Sequence, residues 1–224
     1  MNSFKNIPLA AAFMERTYDD LIEACQKYHP TLRKVIHHFL GGDSCYYGAE
    51  EHALRAPLIC GAVARTVQHL FAAEGFPVKL AYGTQLGEEY PTADHTFCIV
   101  NVGEEIIVDG AYLQFLRGFN LPKSEENNND LFIASYTDLE RKIQDLIINY
   151  KEKNRFLDVD DKELRHYLWR LWDYNSSSYR ITDKNQLLPY VERHRAKDHQ
   201  LMHPNVVRLI NSLHACGVID SLLI

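Results

Sequence analysis

From Met14 to Leu40, apolar side chains recur at helical spacing: Leu21, Ile22, Cys25 and Tyr28, then Leu32, Val35, Ile36, Phe39 and Leu40. Pro30 interrupts the run and disfavours helix in the residue before it, so the pattern predicts two helices ending at Gly41-Gly42. Gly41 to Glu51 is rich in Gly, Asp, Ser and Tyr and reads as a loop. A helix then opens near Pro57, a residue suited to a first turn. Val63, Val67, Leu70 and Phe71 form its apolar stripe, and Gly75 closes it. Cys60 falls in its opening turn.

The period then changes from helical to alternating. Val78 to Tyr82, Thr96 to Val102 and Glu105 to Val108 are short, β-branched or aromatic, and bounded by Gly and Pro, so they read as strands. Ser124 to Asp130 is a polar loop. Beyond it Leu139 to Tyr150, Leu164 to Trp172, Gln186 to His194 and Val206 to Leu223 carry helical patterns, which makes the C-terminal third helical. The fold expected is α+β: a central antiparallel sheet packed on the Cys60 helix, with flanking N- and C-terminal helices. At 224 residues it is expected as a single domain, 1–224, with a core at about 41–120 and helical extensions at 1–40 and 130–224.

Composition narrows the function classes. Apolar residues make up 46% and charged residues 24%, which places the chain among folded globular proteins rather than disordered ones. A net charge of -6 with no long basic run lacks the electrostatic footprint of a nucleic-acid binder, so no nucleic acid is expected as a partner. No window approaches the roughly 18 uninterrupted apolar residues of a membrane span, and the apolar patch Ile7 to Phe13 is too short for a secretory signal. A cytoplasmic protein is expected. Five cysteines, scattered and without a C-x-x-C pair, argue against a disulfide framework or a structural zinc site, and no cofactor or metal is implied.

One of those cysteines is placed for chemistry. A free thiol has a pKa of about 8.5, so a thiol nucleophile needs a setting that favours the thiolate. The opening turn of a helix, where Cys60 stands, supplies free N–H groups and the positive end of the helix dipole. Such a nucleophile also needs a base within reach and a carboxylate to hold that imidazole in one tautomer. His95, opening one strand, and Asp109, ending the next, are of the right kinds. For both to lie on one face of their hairpin, the loop around Gly103 must hold three or five residues, or carry a bulge. A two-residue loop would put them on opposite faces.

These residues resemble a known family. Leu58-Ile-Cys-Gly-Ala-Val-Ala, a helix running to Gly75-Phe-Pro-Val, then Tyr82-Gly, Asp94-His-Thr-Phe and Ile107-Val-Asp-Gly are similar to the core of the transglutaminase-like superfamily, a branch of the papain-type enzymes. The resemblance covers Arg55 to Phe115. It implies a papain/transglutaminase-like core in which Cys60 is the nucleophile, His95 the general base and acid, and Asp109 the orienting carboxylate. The activity implied is that of a thiol protease, glutamine deamidase or transglutaminase acting on a protein substrate. The chain departs from the family in having Phe97 where many members have Trp, and in lacking a core Trp to complete an oxyanion hole. The backbone N–H of Cys60, with Tyr46 or Tyr47 of the Gly41 to Glu51 loop, is expected to supply that hole. Size, acidity and the lack of a transport signal fit a small bacterial effector delivered into a host cell.

Other readings compete. Arylamine N-acetyltransferases resemble the same core, but they carry a Gly-Gly pair before the Cys and a Val-Gly-Phe-Gly run after the Asp. Pro57-Leu58 and Gly110-Ala111-Tyr112 stand here instead. A catalytically inactive adaptor on the same fold, binding a protein partner, is the rival from another class, and a buried or misaligned Cys60 would favour it. Cys98, inside a strand, reads as an inert core thiol. Asp109 before Gly110 could be a plain turn residue. His194, His199 and His203 invite a metal, but Pro204 follows directly and no glutamate base lies between them as in H-E-x-x-H. Trp169 and Trp172 read as helix packing.

Overall fold

The computed structural model describes residues 15–40, 59–83, 95–112, 131–153, 160–176, 179–195 and 204–219. Helix α1 spans Tyr18–Leu40 and α2 spans Ile59–Ala73, followed by strands β1 (Val78–Gly83), β2 (Thr96–Asn101), β3 (Glu105–Asp109) and β4 (Phe132–Ser135). A 3-10 turn leads into α3 (Leu139–Lys153). Helix α4 (Asp161–Trp172), strand β5 (Tyr179–Thr182) and helices α5 (Leu188–Arg195) and α6 (Pro204–Ala215) complete the order.

The five strands form one sheet in the order β4-β3-β2-β1-β5, and every neighbouring pair is antiparallel. One face, bearing Val78, Leu80, Cys98, Val100, Ile106 and Val108, packs under α2, which in turn packs on α1. The other face, bearing Ala81, Phe97, Ile99 and Ile107, packs with residues of α3 and α4. Alternation along the strands sends successive side chains into these two cores. The expected α+β architecture, with an antiparallel sheet on the Cys60 helix, is therefore present.

Two expectations are corrected. Helix α1 runs unbroken through Pro30 rather than splitting in two. Leu21, Ala24, Cys25, Leu32, Val35 and Phe39 stay in phase across the proline, so tertiary burial of one continuous stripe outweighs the lost backbone hydrogen bond. The C-terminal third is not purely helical, because β5 lies within it and pairs with β1 through Leu80 opposite Thr182 and Ala81 opposite Ile181. Together β4 and β5 form both edges of the sheet. Each is only four residues long, too short for alternation to stand out from its flanks.

The ends of α2 follow from local chemistry. Gly75 has φ of +85°, and the bonds Phe76 N–H to Phe71 C=O (3.0 Å) and Gly75 N–H to Ala72 C=O (3.0 Å) make a Schellman cap. The helix begins at Ile59, with Cys60 its second residue. Pro57 lies outside the described residues.

Candidate active site

The β2–β3 hairpin sets the geometry. Asn101 pairs with Glu105 and Cys98 with Val108, which leaves a three-residue loop, 102–104. Gly103 occupies the left-handed region at φ +91°, and its N–H bonds the Asn101 side chain at 3.1 Å. The odd loop gives the register that a shared face requires. Continued past its last pair, that register sets Phe97 opposite Asp109. His95, two residues before Phe97, therefore lies on the same face and diagonal to Asp109.

His95 Nε2 lies 2.7 Å from Asp109 Oδ2, and both side chains are buried, at 0% and 1% exposure. The carboxylate is held from two further directions. The Ala111 backbone N–H donates to Oδ1 at 2.8 Å and the Trp172 indole Nε1–H donates to Oδ2 at 2.9 Å. Asp109 is therefore more than a turn residue, because both of its oxygens fix partners. The His95 ring lies against Phe97, centroid to centroid 5.5 Å, with the two rings tilted.

Cys60 comes to the same imidazole from α2. Its thiol lies close enough to His95 to help raise the imidazole pKa. With Nε2 committed to Asp109, Nδ1 is the ring nitrogen left for the thiol. Burial alone pulls the His95 pKa down, but the Asp109 carboxylate, by charge and hydrogen bond, and Cys60 together push it up to about 9. Imidazolium is thus favoured across the neutral range, beside a thiol at the dipole-positive end of a helix. Cys60 is 3% exposed.

Two glycines let these elements close on one another. A Cβ on Gly110 would lie 2.7 Å from Val63 Cγ1, so glycine after Asp109 is what brings the end of β3 against the first turns of α2. A Cβ on Gly83 would meet the His95 backbone N at 3.2 Å and O at 3.3 Å, and the Gly83 N–H bonds the His95 C=O at 2.6 Å. This contact anchors His95 to β1 just ahead of β2.

Of the sequence-derived site residues, Cys60, His95 and Asp109 come together, while Tyr46 and Tyr47 lie outside the described residues. Trp172 is the residue that sequence reasoning missed. It is packed as expected, stacked on Phe132 with ring centroids 3.8 Å apart, yet its indole N–H also holds Asp109. A buried tryptophan needs a partner for that N–H, and this was the available signal. Trp169 is half-buried against Tyr136.

Cys98 is a core thiol that donates to the Ala64 C=O at 3.1 Å, and burial raises its pKa well above the ordinary thiol range. Among the described residues, no group of three or more His, Cys, Asp or Glu could hold a metal ion. His199 and His203 lie outside those residues. No described helix is long and apolar enough to cross a membrane. Compared with protein-family models, curated proteins and solved structures, the chain matches none of them.

Proposed function

We propose that the protein is a cysteine-dependent acyl-transfer enzyme acting on an amide of a protein, in the manner of the transglutaminase-like proteases, deamidases and transglutaminases. The observation that carries the reading is the buried chain of contacts from Cys60 through His95 to Asp109, with His95 Nε2 and Asp109 Oδ2 2.7 Å apart. Three side chains from separate elements meet in the order that nucleophilic catalysis needs.

In the proposed reaction the Cys60 thiolate attacks the amide carbonyl carbon, and charge develops on its oxygen. The backbone N–H of Cys60, in the opening turn of α2, is the donor proposed for that oxygen. The C–N bond breaks as His95 imidazolium delivers its proton to the leaving amine, which leaves a thioester on Cys60 and a neutral imidazole. Water or a second amine then attacks the thioester, loses its proton to His95, and releases thiolate. Water gives hydrolysis or deamidation, and an amine gives a new amide. Asp109 keeps the imidazole oriented throughout, itself held by Trp172 and Ala111.

The second reading is a protein-binding adaptor on the same frame, favoured by the 3% exposure of Cys60. An inert thiol in a core needs neither a histidine partner nor a carboxylate held by three donors, and for that reason the enzyme reading stands first. The test is incubation of peptide and protein libraries, with and without added primary amines, with the native protein and with Cys60→Ala. Glutamine-to-glutamate conversion, amine incorporation or peptide cleavage that disappears in Cys60→Ala is the expected result. Identical outcomes for the two proteins would favour the adaptor.

A further inference from the structure

Arg65 is the one charged side chain in the interior of α2, five residues after Cys60. Its side chain runs back toward the start of the helix, as long helical side chains do, and Nη1 donates to the Gly61 C=O at 2.8 Å. The guanidinium lies over two aromatic rings, with Cζ 5.6 Å from the Tyr82 centroid and 5.9 Å from that of Tyr190. Its Nε is buried and has no hydrogen-bond partner among the described residues. No carboxylate among them pairs with it either.

A partly desolvated guanidinium is normally matched by an anion in planar, bidentate fashion. Here the described neighbours offer ring faces, a phenol and a carbonyl, so among the described residues no carboxylate compensates the positive charge. Gly61 makes the position possible, because a Cβ there would lie 2.6 Å from Nη1. Glycine inside a helix costs about 1 kcal/mol relative to alanine, and at this position it lets the charge lie flat on the residue next to the nucleophile. Tyr82 also ties the group to the site, since Tyr82 pairs with Thr96 and the next residue, Gly83, bonds His95. Arg65, Tyr82 and Tyr190 are all partly exposed, unlike the buried triad.

We propose that the Arg65 guanidinium, seated over Gly61 between Tyr82 and Tyr190, is an anion subsite that selects substrates bearing a carboxylate near the amide attacked by Cys60. This rests on the acyl-transfer reading and adds its substrate class. The carboxylate takes the accessible Nη donors of the guanidinium, which holds the substrate by a group that does not react. Its carbonyl is then positioned beside the thiol.

Two alkylating agents of equal size and opposite demand test this: anionic iodoacetate and neutral iodoacetamide. Second-order rates at Cys60 are measured at neutral pH and low salt, with the site identified by mass spectrometry, in the native protein, Arg65→Gln and Gly61→Ala. The readout is the ratio of the two rates, from which the nucleophilicity of the thiol cancels. The ratio is expected to fall about tenfold in Arg65→Gln, the order expected of a nearby charge at an effective dielectric of about 20. It should also fall in Gly61→Ala, where the new methyl displaces the guanidinium while favouring the helix. An unchanged ratio in both variants overturns the subsite and leaves Arg65 as a helix-packing residue. Failure of the acyl-transfer reading would show separately, as a native iodoacetamide rate no higher than that of a free thiol. In a second arm, glutarate and a blocked glutamate-containing peptide compete with iodoacetamide, and the stronger protector tells a small diacid from an acidic peptide segment. Protection by neither, or equal protection by their amides, counts against the proposal.

Discussion

Trp172 and His95 share one oxygen: the indole N–H reaches Asp109 Oδ2 at 2.9 Å and the imidazole Nε2 reaches it at 2.7 Å. The tryptophan comes from the last turn of α4 and the histidine from just ahead of β2, so a helix on one face of the sheet helps set the orientation of the imidazole. Trp172→Phe keeps the ring stacked on Phe132 and removes only the donor. Expected are a stability loss of about 1–3 kcal/mol, from a buried carboxylate left one bond short, and slower Cys60 alkylation at pH 6, by less than His95→Ala causes. Urea unfolding and iodoacetamide kinetics check this. A stability loss with unchanged alkylation would reduce Trp172 to packing.

Gly110 is expected to be irreplaceable for steric reasons alone. A Cβ there would press on Val63 Cγ1 at 2.7 Å and Leu131 Cδ2 at 3.0 Å, so Gly110→Ala should cost about 1–3 kcal/mol through overpacking. Because Val63 carries the clash, the double variant Gly110→Ala/Val63→Ala should be more stable than the sum of the single losses predicts. Strict additivity in urea denaturation would contradict the contact.

Pro30 sits exposed in the middle of α1 and withholds a backbone hydrogen bond. Pro30→Ala restores the donor and is expected to stabilise the protein by about 1–3 kcal/mol, measured as a shift in the urea midpoint at constant slope. No effect on Cys60 alkylation is expected, since Pro30 is exposed on α1, which packs on α2.

The parts of the fold that could be read from the chain are those with a long period. The stripe Val63, Val67, Leu70 and Phe71 and the runs at Val78, Thr96 and Glu105 gave helix and strands within a residue or two. The side-chain parity of His95 and Asp109 demanded an odd loop, and the three residues 102–104 supply it. Pro30 misled because proline acts locally, whereas the burial of Leu21 through Phe39 acts along the whole helix. Strands β4 and β5 escaped notice because four residues do not establish a period, and what holds them is pairing to β3 and β1, a long-range fact. The same limit hid Trp172. Its distance from Asp109 in sequence is 63 residues, and only the folded chain brings the indole to the carboxylate.

The central claim is that His95 keeps Cys60 reactive, and the pH dependence of Cys60 alkylation tests it most directly. The Asp109 carboxylate and Cys60 raise His95 to about 9, against the pull of burial, so the imidazolium persists at neutral pH and favours a thiolate beside it. The rate with iodoacetamide should therefore already be high well below pH 8 and stay high at higher pH, because the thiolate remains when the imidazolium loses its proton. In His95→Ala the profile should collapse to that of a free thiol, rising only around pH 8.5. A native protein whose Cys60 follows the free-thiol curve, unchanged by His95→Ala, would contradict the account.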